Sequence, residues 1–129
     1  MFTIEQIKEA HSKVKSGSDF PAYIQDILKL GVKKYETFVS DGHTIYFGEN
    51  NNTIQSPARY EPLVIAATCD PESFKADLKA HQQGKTDYAT FCKSCAAFGV
   101  NNWIVDTDKM TCTYYDTTEN EILAEIIPH

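Results

Sequence analysis

The residues best suited to chemistry are four cysteines, four histidines and one arginine in a chain of 129 residues. Cys92 and Cys95 have C-x-x-C spacing, and two thiolates at that spacing can share a metal ion. A zinc site would need more ligands, which Cys69, Cys112 or His81 would have to supply. However, the pair falls in the middle of a predicted helix, where free cysteine packs as a small hydrophobe. We therefore favour core packing, with no metal and no cofactor, and keep a thiol or zinc protein as an alternative.

The remaining titratable residues form no catalytic pattern. Glu36 interrupts an apolar strand, and solvent exposure explains this more simply than an acid role in catalysis. His43 follows the Asp41-Gly42 turn, which predicts a solvated side chain. No P-loop, Rossmann fingerprint, nucleophile elbow or HExxH motif is present. No catalytic residue is assigned, and the enzyme alternative would place Glu36, His43 or Arg59 in a pocket beside the first hairpin.

A polar loop over 49–61 contains Arg59, the one arginine of the chain, beside Tyr60. Arginine next to an aromatic residue suits recognition of a carboxylate, a phosphate or a peptide backbone. The simpler alternative is a mobile connector in which Arg59 pairs with Glu61. With the tyrosines and polar residues of the neighbouring strands, the candidate binding residues are Arg59, Tyr60, Tyr35, Tyr46, Glu36 and His43.

Four helices must position these residues. Their beginnings and ends are predicted by capping residues, prolines in the first turn and glycines after the last. The expected limits are Thr3 to Gly17, Ser18 or Asp19 to Gly31, Asp70 to Gly84, and Thr86 to Gly99. His11 and His81 fall on helix faces that are expected to be half-buried.

Strands are predicted where β-branched and aromatic residues cluster between turn signals. The segments are Val32 to Ser40, Thr44 to Gly48, Leu63 to Ala67, Val100 to Asp106, Thr111 to Tyr115 and Glu121 to Ile127. Asp41-Gly42 is a strong signal for a tight turn between the first two.

The two halves of the chain repeat one pattern. The offset is 67 residues up to Gly17 and Gly84, and 68 residues after the extra Lys85. Matched pairs include Asp19 with Asp87, Gly31 with Gly99, Tyr35 with Trp103, Tyr46 with Tyr114, and Ile24 and Ile27 with Cys92 and Cys95. The pattern predicts one domain over 1–129, made of two ααβββ units at about 3–67 and 70–127. We expect an α+β fold, with four helices on a largely antiparallel sheet and an enlarged loop between the second and third strands.

Composition excludes several classes of protein. The net charge of −6 and the scattered lysines argue against a nucleic-acid-binding surface. No apolar run approaches the ~18 residues of a membrane span, and no signal peptide is visible at the N-terminus. Cysteines in such a chain are expected to be reduced thiols in the cytosol.

Three segments, Tyr35–Gly42, Lys79–Tyr88 and Met110–Asp116, closely resemble the YbcV-like family of small bacterial proteins. Some members are associated with prophages, and many are labelled "phage envelope protein". The resemblance covers nearly the whole chain and implies a soluble, single-domain bacterial protein of unknown function. It supplies no catalytic residues. The envelope label does not fit a chain without an export signal, and we do not adopt it.

These patterns predict a non-enzymatic module that binds a small molecule or a protein partner. A homodimer is left open.

Overall fold

The computed structural model describes residues 2–14 and 19–127. Its helices are α1 (Ile4–His11), α2 (Phe20–Leu30), α3 (Pro71–Gln82) and α4 (Tyr88–Ala97). The predicted capping box is confirmed, since the side chains of Thr3 and Gln6 each accept the other residue's backbone N–H. Asp70 and Asp87 cap α3 and α4 as expected. The helix boundaries predicted at Gly17 and Ser18 lie outside the described residues.

One six-stranded sheet contains strands of both halves. The strands are β1 (Lys34–Phe38), β2 (Thr44–Phe47), β3 (Thr53–Gln55), β4 (Val100–Asp106), β5 (Thr111–Asp116) and β6 (Glu121–Ile126). Their order is β3-β2-β1-β4-β5-β6, and every neighbouring pair is antiparallel. The predicted α+β class is therefore confirmed, with β1 and β4 joining the halves at the centre.

The strand registers follow the 68-residue offset. Tyr35 pairs with Tyr46 across the first hairpin, and their counterparts Trp103 and Tyr114 pair in the same way across the second. At the centre of the sheet, Glu36 lies opposite Ile104, which is its own counterpart. The two halves are thus related by an approximate two-fold axis through this pair. An origin by duplication is consistent with these registers and stays a prediction.

The helices cover one face of the sheet. Tyr35 and Thr37 of β1 are buried, whereas Glu36 and Phe38, which point the other way, are half-buried. Aromatic contacts join the covered face to three helices, at Tyr23–Tyr35, Phe74–Tyr114 and Phe91–Trp103. The hydrophobic core lies between these two layers.

The strand predicted at 63–67 is wrong. The third strand of the first half is β3, which pairs with β2. The apolar run instead makes two separate backbone hydrogen bonds, from Leu63 N to Ser40 O and from Ala66 N to Ala96 O. Val64 is 92% exposed, so the run does not form a buried strand. The enlarged loop therefore follows the third strand, over 56–70, rather than preceding it.

Among the described residues, no helix has both the length and the apolar character needed to cross a membrane.

Candidate functional site

A cavity of about 150 Å³ lies between the helices and the middle of the sheet. All four helices and the strands β1, β2, β4, β5 and β6 contribute to its wall. Five of the seven tyrosines and the one tryptophan line it: Tyr23, Tyr35, Tyr46, Tyr88, Tyr114 and Trp103. Tyr35 and Tyr46, which the sequence suggested as binding residues, are therefore buried in the wall of this cavity.

Two polar groups of this wall have no hydrogen-bond partner in the described part of the chain. Tyr35 is 4% exposed and Trp103 is 6% exposed, and neither side chain forms a hydrogen bond with a described residue. Within the described ranges, every fully enclosed side-chain nitrogen or oxygen has a partner. The Tyr35 hydroxyl and the Trp103 indole N–H therefore reach the cavity, where they can bond to a guest.

Other hydroxyl groups in the wall are paired with each other. The hydroxyls of Tyr23 and Tyr46 lie 3.4 Å apart, and those of Thr37 and Thr44 lie 2.9 Å apart. Burial raises the pKa of Tyr35 well above its usual value, so its hydroxyl stays protonated and can donate. The wall thus combines aromatic surface with a few fixed polar atoms, which is typical of small-molecule sites.

Arg59 is brought to the cavity by the segment 56–70. The backbone of this segment bonds to the first hairpin, from Arg59 N to Asp41 O at 2.8 Å and from Leu63 N to Ser40 O at 2.6 Å. The Tyr60 hydroxyl donates to Val39 O at 2.6 Å. These bonds hold the segment across the end of the hairpin. The segment 56–70, called the strap below, is thus bonded to the hairpin and places Arg59 at the cavity wall.

The Arg59 side chain contacts two helices rather than Glu61. Its Nη1 lies 3.3 Å from Nε2 of His11, and its Cζ lies 5.6 Å from the ring centroid of Tyr88. No acidic side chain in the described ranges is within ion-pair distance of Arg59. The alternative of an Arg59–Glu61 pair is therefore wrong. The cation is left exposed to solvent on one side and facing aromatic rings on the other.

Electrostatics at this end of the cavity favour a neutral His11. Burial, followed by the nearby Arg59 charge, lowers the pKa of His11 to about 4. Near pH 7 the imidazole is therefore neutral, and its Nε2 accepts a hydrogen bond from Arg59. His11 also meets the rings of Tyr23 and Tyr88 edge-on, with centroids 5.3 and 6.1 Å away.

A second cavity of about 290 Å³ lies between α1 and residues 56–59, next to the first. The two cavities share His11, Tyr46 and Arg59 in their walls. The Arg59–His11 contact therefore lies on the boundary between them, where a charged group of a guest could reach the guanidinium from either side.

The structure separates the other predicted binding residues from this site. Tyr60 lines neither cavity and anchors the strap instead. Glu36 lies on the uncovered face of the sheet, where its carboxylate accepts from Asn102 Nδ2 at 2.7 Å. His43 is on that face too, stacked on Phe38 and bonded through Nδ1 to the Asp41 carboxylate at 2.5 Å.

The enzyme alternative required a cavity enclosing at least two of Glu36, His43 and Arg59. Of these three, Arg59 alone lines either of the two cavities described above, since Glu36 and His43 lie on the uncovered face of the sheet. The enzyme hypothesis built on these three groups has no geometric support.

Cys92 and Cys95 lie inside α4 with 1% and 0% exposure. Burial raises the pKa of both thiols, and that of Cys112 to about 12, which keeps them protonated. In the described ranges, no group of three or more His, Cys, Asp or Glu side chains is arranged to hold a metal ion. The thiol or zinc alternative gains no support from this arrangement.

Several lining residues were not proposed as binding residues from the sequence. His11, Tyr23 and Tyr88 lie on helix faces, and Tyr114 lies on a strand, at positions typical of an ordinary core. The available signal was polar or amphipathic residues at apolar positions of a helix, such as His11 and Tyr23. That signal predicts that a side chain is buried, but it does not predict that a cavity lies beside it.

The fold and the site together define an α+β protein in which a helical layer and a sheet enclose an aromatic cavity. The chain belongs to the family described as "Protein of unknown function (DUF1398)", which it matches over residues 8–126. No match to a curated protein was found. The expectation of an uncharacterised family is thereby confirmed, and the match carries neither the YbcV-like name nor the phage-envelope label.

Proposed function

We propose that this protein binds a small molecule in the cavity between its helices and sheet, without catalysing a reaction. One observation carries the proposal: the Tyr35 hydroxyl and the Trp103 N–H face the cavity without a partner among the described residues. Both atoms are accessible rather than fully enclosed, so a guest in the cavity can bond to them directly, and the wall is suited to an occupant.

The dimensions of the cavity support a small guest. An apolar cavity of about 150 Å³ in another protein takes up benzene. The present cavity has a similar volume, of about 150 Å³, but its wall also offers tyrosine hydroxyls and an indole N–H. A single ring with a polar substituent matches both the volume and the polar atoms.

Phenol is the simplest probe of this proposal. Trp103 is the only tryptophan and lines the cavity, so its fluorescence reports occupancy directly. We expect a saturable fluorescence change on titration with phenol, and a melting temperature that rises with phenol concentration. A response that stays linear, with no stabilisation, would contradict the proposal.

Two tyrosine variants test where phenol binds. Tyr35→Phe removes one hydroxyl from the cavity wall and should raise the phenol Kd by about three- to tenfold. Tyr115→Phe removes a hydroxyl from the half-buried residue that follows Tyr114 and lies on the opposite face of the sheet. That control should bind phenol like the wild type. Equal effects of both variants would place the probe elsewhere.

The bacterial, prophage-associated origin and the cytosolic location are kept as proposals. The resemblance to YbcV-like proteins supports the origin, and four free cysteines are consistent with a reducing compartment. A homodimer stays a prediction, which sedimentation of the purified protein would test.

A further inference from the structure

We infer that the ligand is a monocyclic aromatic carboxylate, with its ring inside the aromatic cavity and its carboxylate on Arg59. This inference rests on the proposed function and adds the chemical class of the ligand. It follows from three properties of the site: the charge of its one cation, the shape of that cation, and the size of the space beside it.

Arg59 is a cation without a carboxylate partner among the described residues. Its charge acts on the cavity wall, since it opposes the rise in the pKa of Tyr23 and of Tyr88 that burial causes. The acidic residue of the wall, Glu125, accepts instead from Gln82 Nε2 at 2.9 Å. A negatively charged group of a guest could therefore form an ion pair with the Arg59 guanidinium at this end of the cavity.

One arginine suits a single negative charge. The neighbouring His11 is neutral near pH 7, because its pKa is lowered to about 4, and its Nε2 already accepts from Arg59. Among the described residues, the wall of the aromatic cavity contains no lysine and no second arginine, so the second negative charge of a phosphate dianion would have no cation there. A guanidinium has five N–H donors in one plane, so it can bind a planar carboxylate while keeping its bond to His11.

The ring of the ligand follows from the walls. Tyr35, Trp103 and Tyr114 each have an aromatic neighbour whose ring centroid is 5.0 to 5.8 Å away, in tilted or edge-on arrangements that a further ring can join. A volume of about 150 Å³ has room for one ring but not for a fused system with long substituents.

The main competing class is an organic cation, because aromatic cages also bind ammonium groups. Arg59 argues against it, since a second cation near the guanidinium would be repelled. Benzoate, benzyl alcohol and benzylammonium carry the same ring with a negative, a neutral and a positive group. Their Kd values, measured by Trp103 fluorescence and by titration calorimetry at low ionic strength, decide between these classes.

We expect benzoate to bind about tenfold more tightly than benzyl alcohol, and benzylammonium to bind most weakly. Arg59→Gln should abolish the preference for benzoate, so that benzoate and benzyl alcohol bind to this variant with similar Kd values. Lys33→Gln removes the same charge from an exposed residue that lines neither cavity, and should keep the preference. Arg59 is itself exposed, so its replacement should leave the folded structure intact, as circular dichroism would verify.

The outcomes separate the two proposals. If benzyl alcohol or benzylammonium binds as tightly as benzoate, the ligand class is overturned while binding in the cavity stands. The same holds if phenol binds and none of the three ring compounds does. If phenol fails as well, the proposed function fails, and the ligand class with it.

Discussion

The two halves of the molecule build the cavity from matched positions but with different chemistry. Seven pairs related by the offset of 67 or 68 residues line it: His11 and Leu78, Val14 and His81, Phe20 and Tyr88, Tyr23 and Phe91, Tyr35 and Trp103, Thr44 and Cys112, Tyr46 and Tyr114. In most pairs one member is more polar than the other. The shared scaffold thus supplies the space, and the differences between the halves supply its polar groups.

The largest difference is the strap over 56–70, which brings Arg59 to the wall. The strap connects β3 to α3, whereas the link between the second and third strands is short in both halves: β3 begins six residues after β2, and β6 begins five residues after β5. An approximately symmetric cavity therefore has one cationic end. A molecule bound there would be oriented, with its negative group toward α1 and the strap.

The largest expected difference between the halves is in the effect of alanine at two matched glycines on the free energy of unfolding. Gly31 has φ of +104° and Gly99 has φ of +82°, so alanine is strained at both. A Cβ on Gly31 would meet nothing within 4 Å, whereas one on Gly99 would lie 2.7 Å from Cys69 Cα and from Thr68 O. Gly31→Ala should lower the free energy of unfolding by about 1–2 kcal/mol. Gly99→Ala should lower it by about 3 kcal/mol or more, because the strap must also move.

Urea unfolding of the two variants measures this difference, and each serves as the control for the other. Equal losses would mean that the strap yields without cost, and would weaken the inference that it holds Arg59 in place.

A second comparison uses the titration of His11, whose counterpart Leu78 does not titrate. The unfolded imidazole takes up a proton near pH 6.5, but in the folded protein it does so only at about 4. Between these values the unfolded state binds more protons, so the free energy of unfolding falls as the pH falls. The contribution of His11 to the free energy of unfolding is therefore complete above pH 6.5 and lost near pH 4. After solvent screening it amounts to about 1–2 kcal/mol.

The variant His11→Leu copies the other half and should reduce this slope. Denaturant unfolding at pH 7, 5.5 and 4.5 gives the free energy of unfolding of the variant and of the wild type. The titration of acidic residues contributes equally to both proteins, so it cancels in the difference between them. His81 also has a pKa lowered by burial and adds a slope of the same sign, so His81→Val is the matched comparison. An unchanged slope in His11→Leu would show that the imidazole takes up its proton at the same pH in the folded and the unfolded state, so that its pKa is not lowered by folding.

The sequence predicted the local features well and the cavity poorly. Capping residues such as Thr3, Asp70 and Asp87, and the glycine at 31, act within a few residues, so their patterns are readable without tertiary structure. The run at 63–67 has strand composition, but β3 occupies the pairing edge of β2, and this competition involves distant segments. Composition alone does not decide it.

The candidate site was harder to predict from the sequence, because it depends on contacts between residues that are far apart in the chain. Alternation along β1 predicts that Tyr35 and Glu36 face opposite ways, but not which face is covered. The contact between Arg59 and His11 joins residues 48 apart in the chain. That a hydroxyl lacks a partner follows from imperfect packing around it, which residue types cannot reveal. Tyr35, Tyr46 and Arg59 were named as candidates, and the structure brings these three to one cavity.

The smallest expected effect concerns the hydroxyl pair of Thr37 and Thr44, which the second half replaces with Val105 and Cys112. The two Oγ1 atoms lie 2.9 Å apart and both residues are buried. Thr37→Val removes one partner and should lower the free energy of unfolding by about 1 kcal/mol. Adding Thr44→Val removes the other buried hydroxyl, so the double variant should lose less than the sum of the single variants. Additive losses in urea unfolding would mean that each hydroxyl bonds to water in the cavity, and that the halves differ in hydration rather than in pairing.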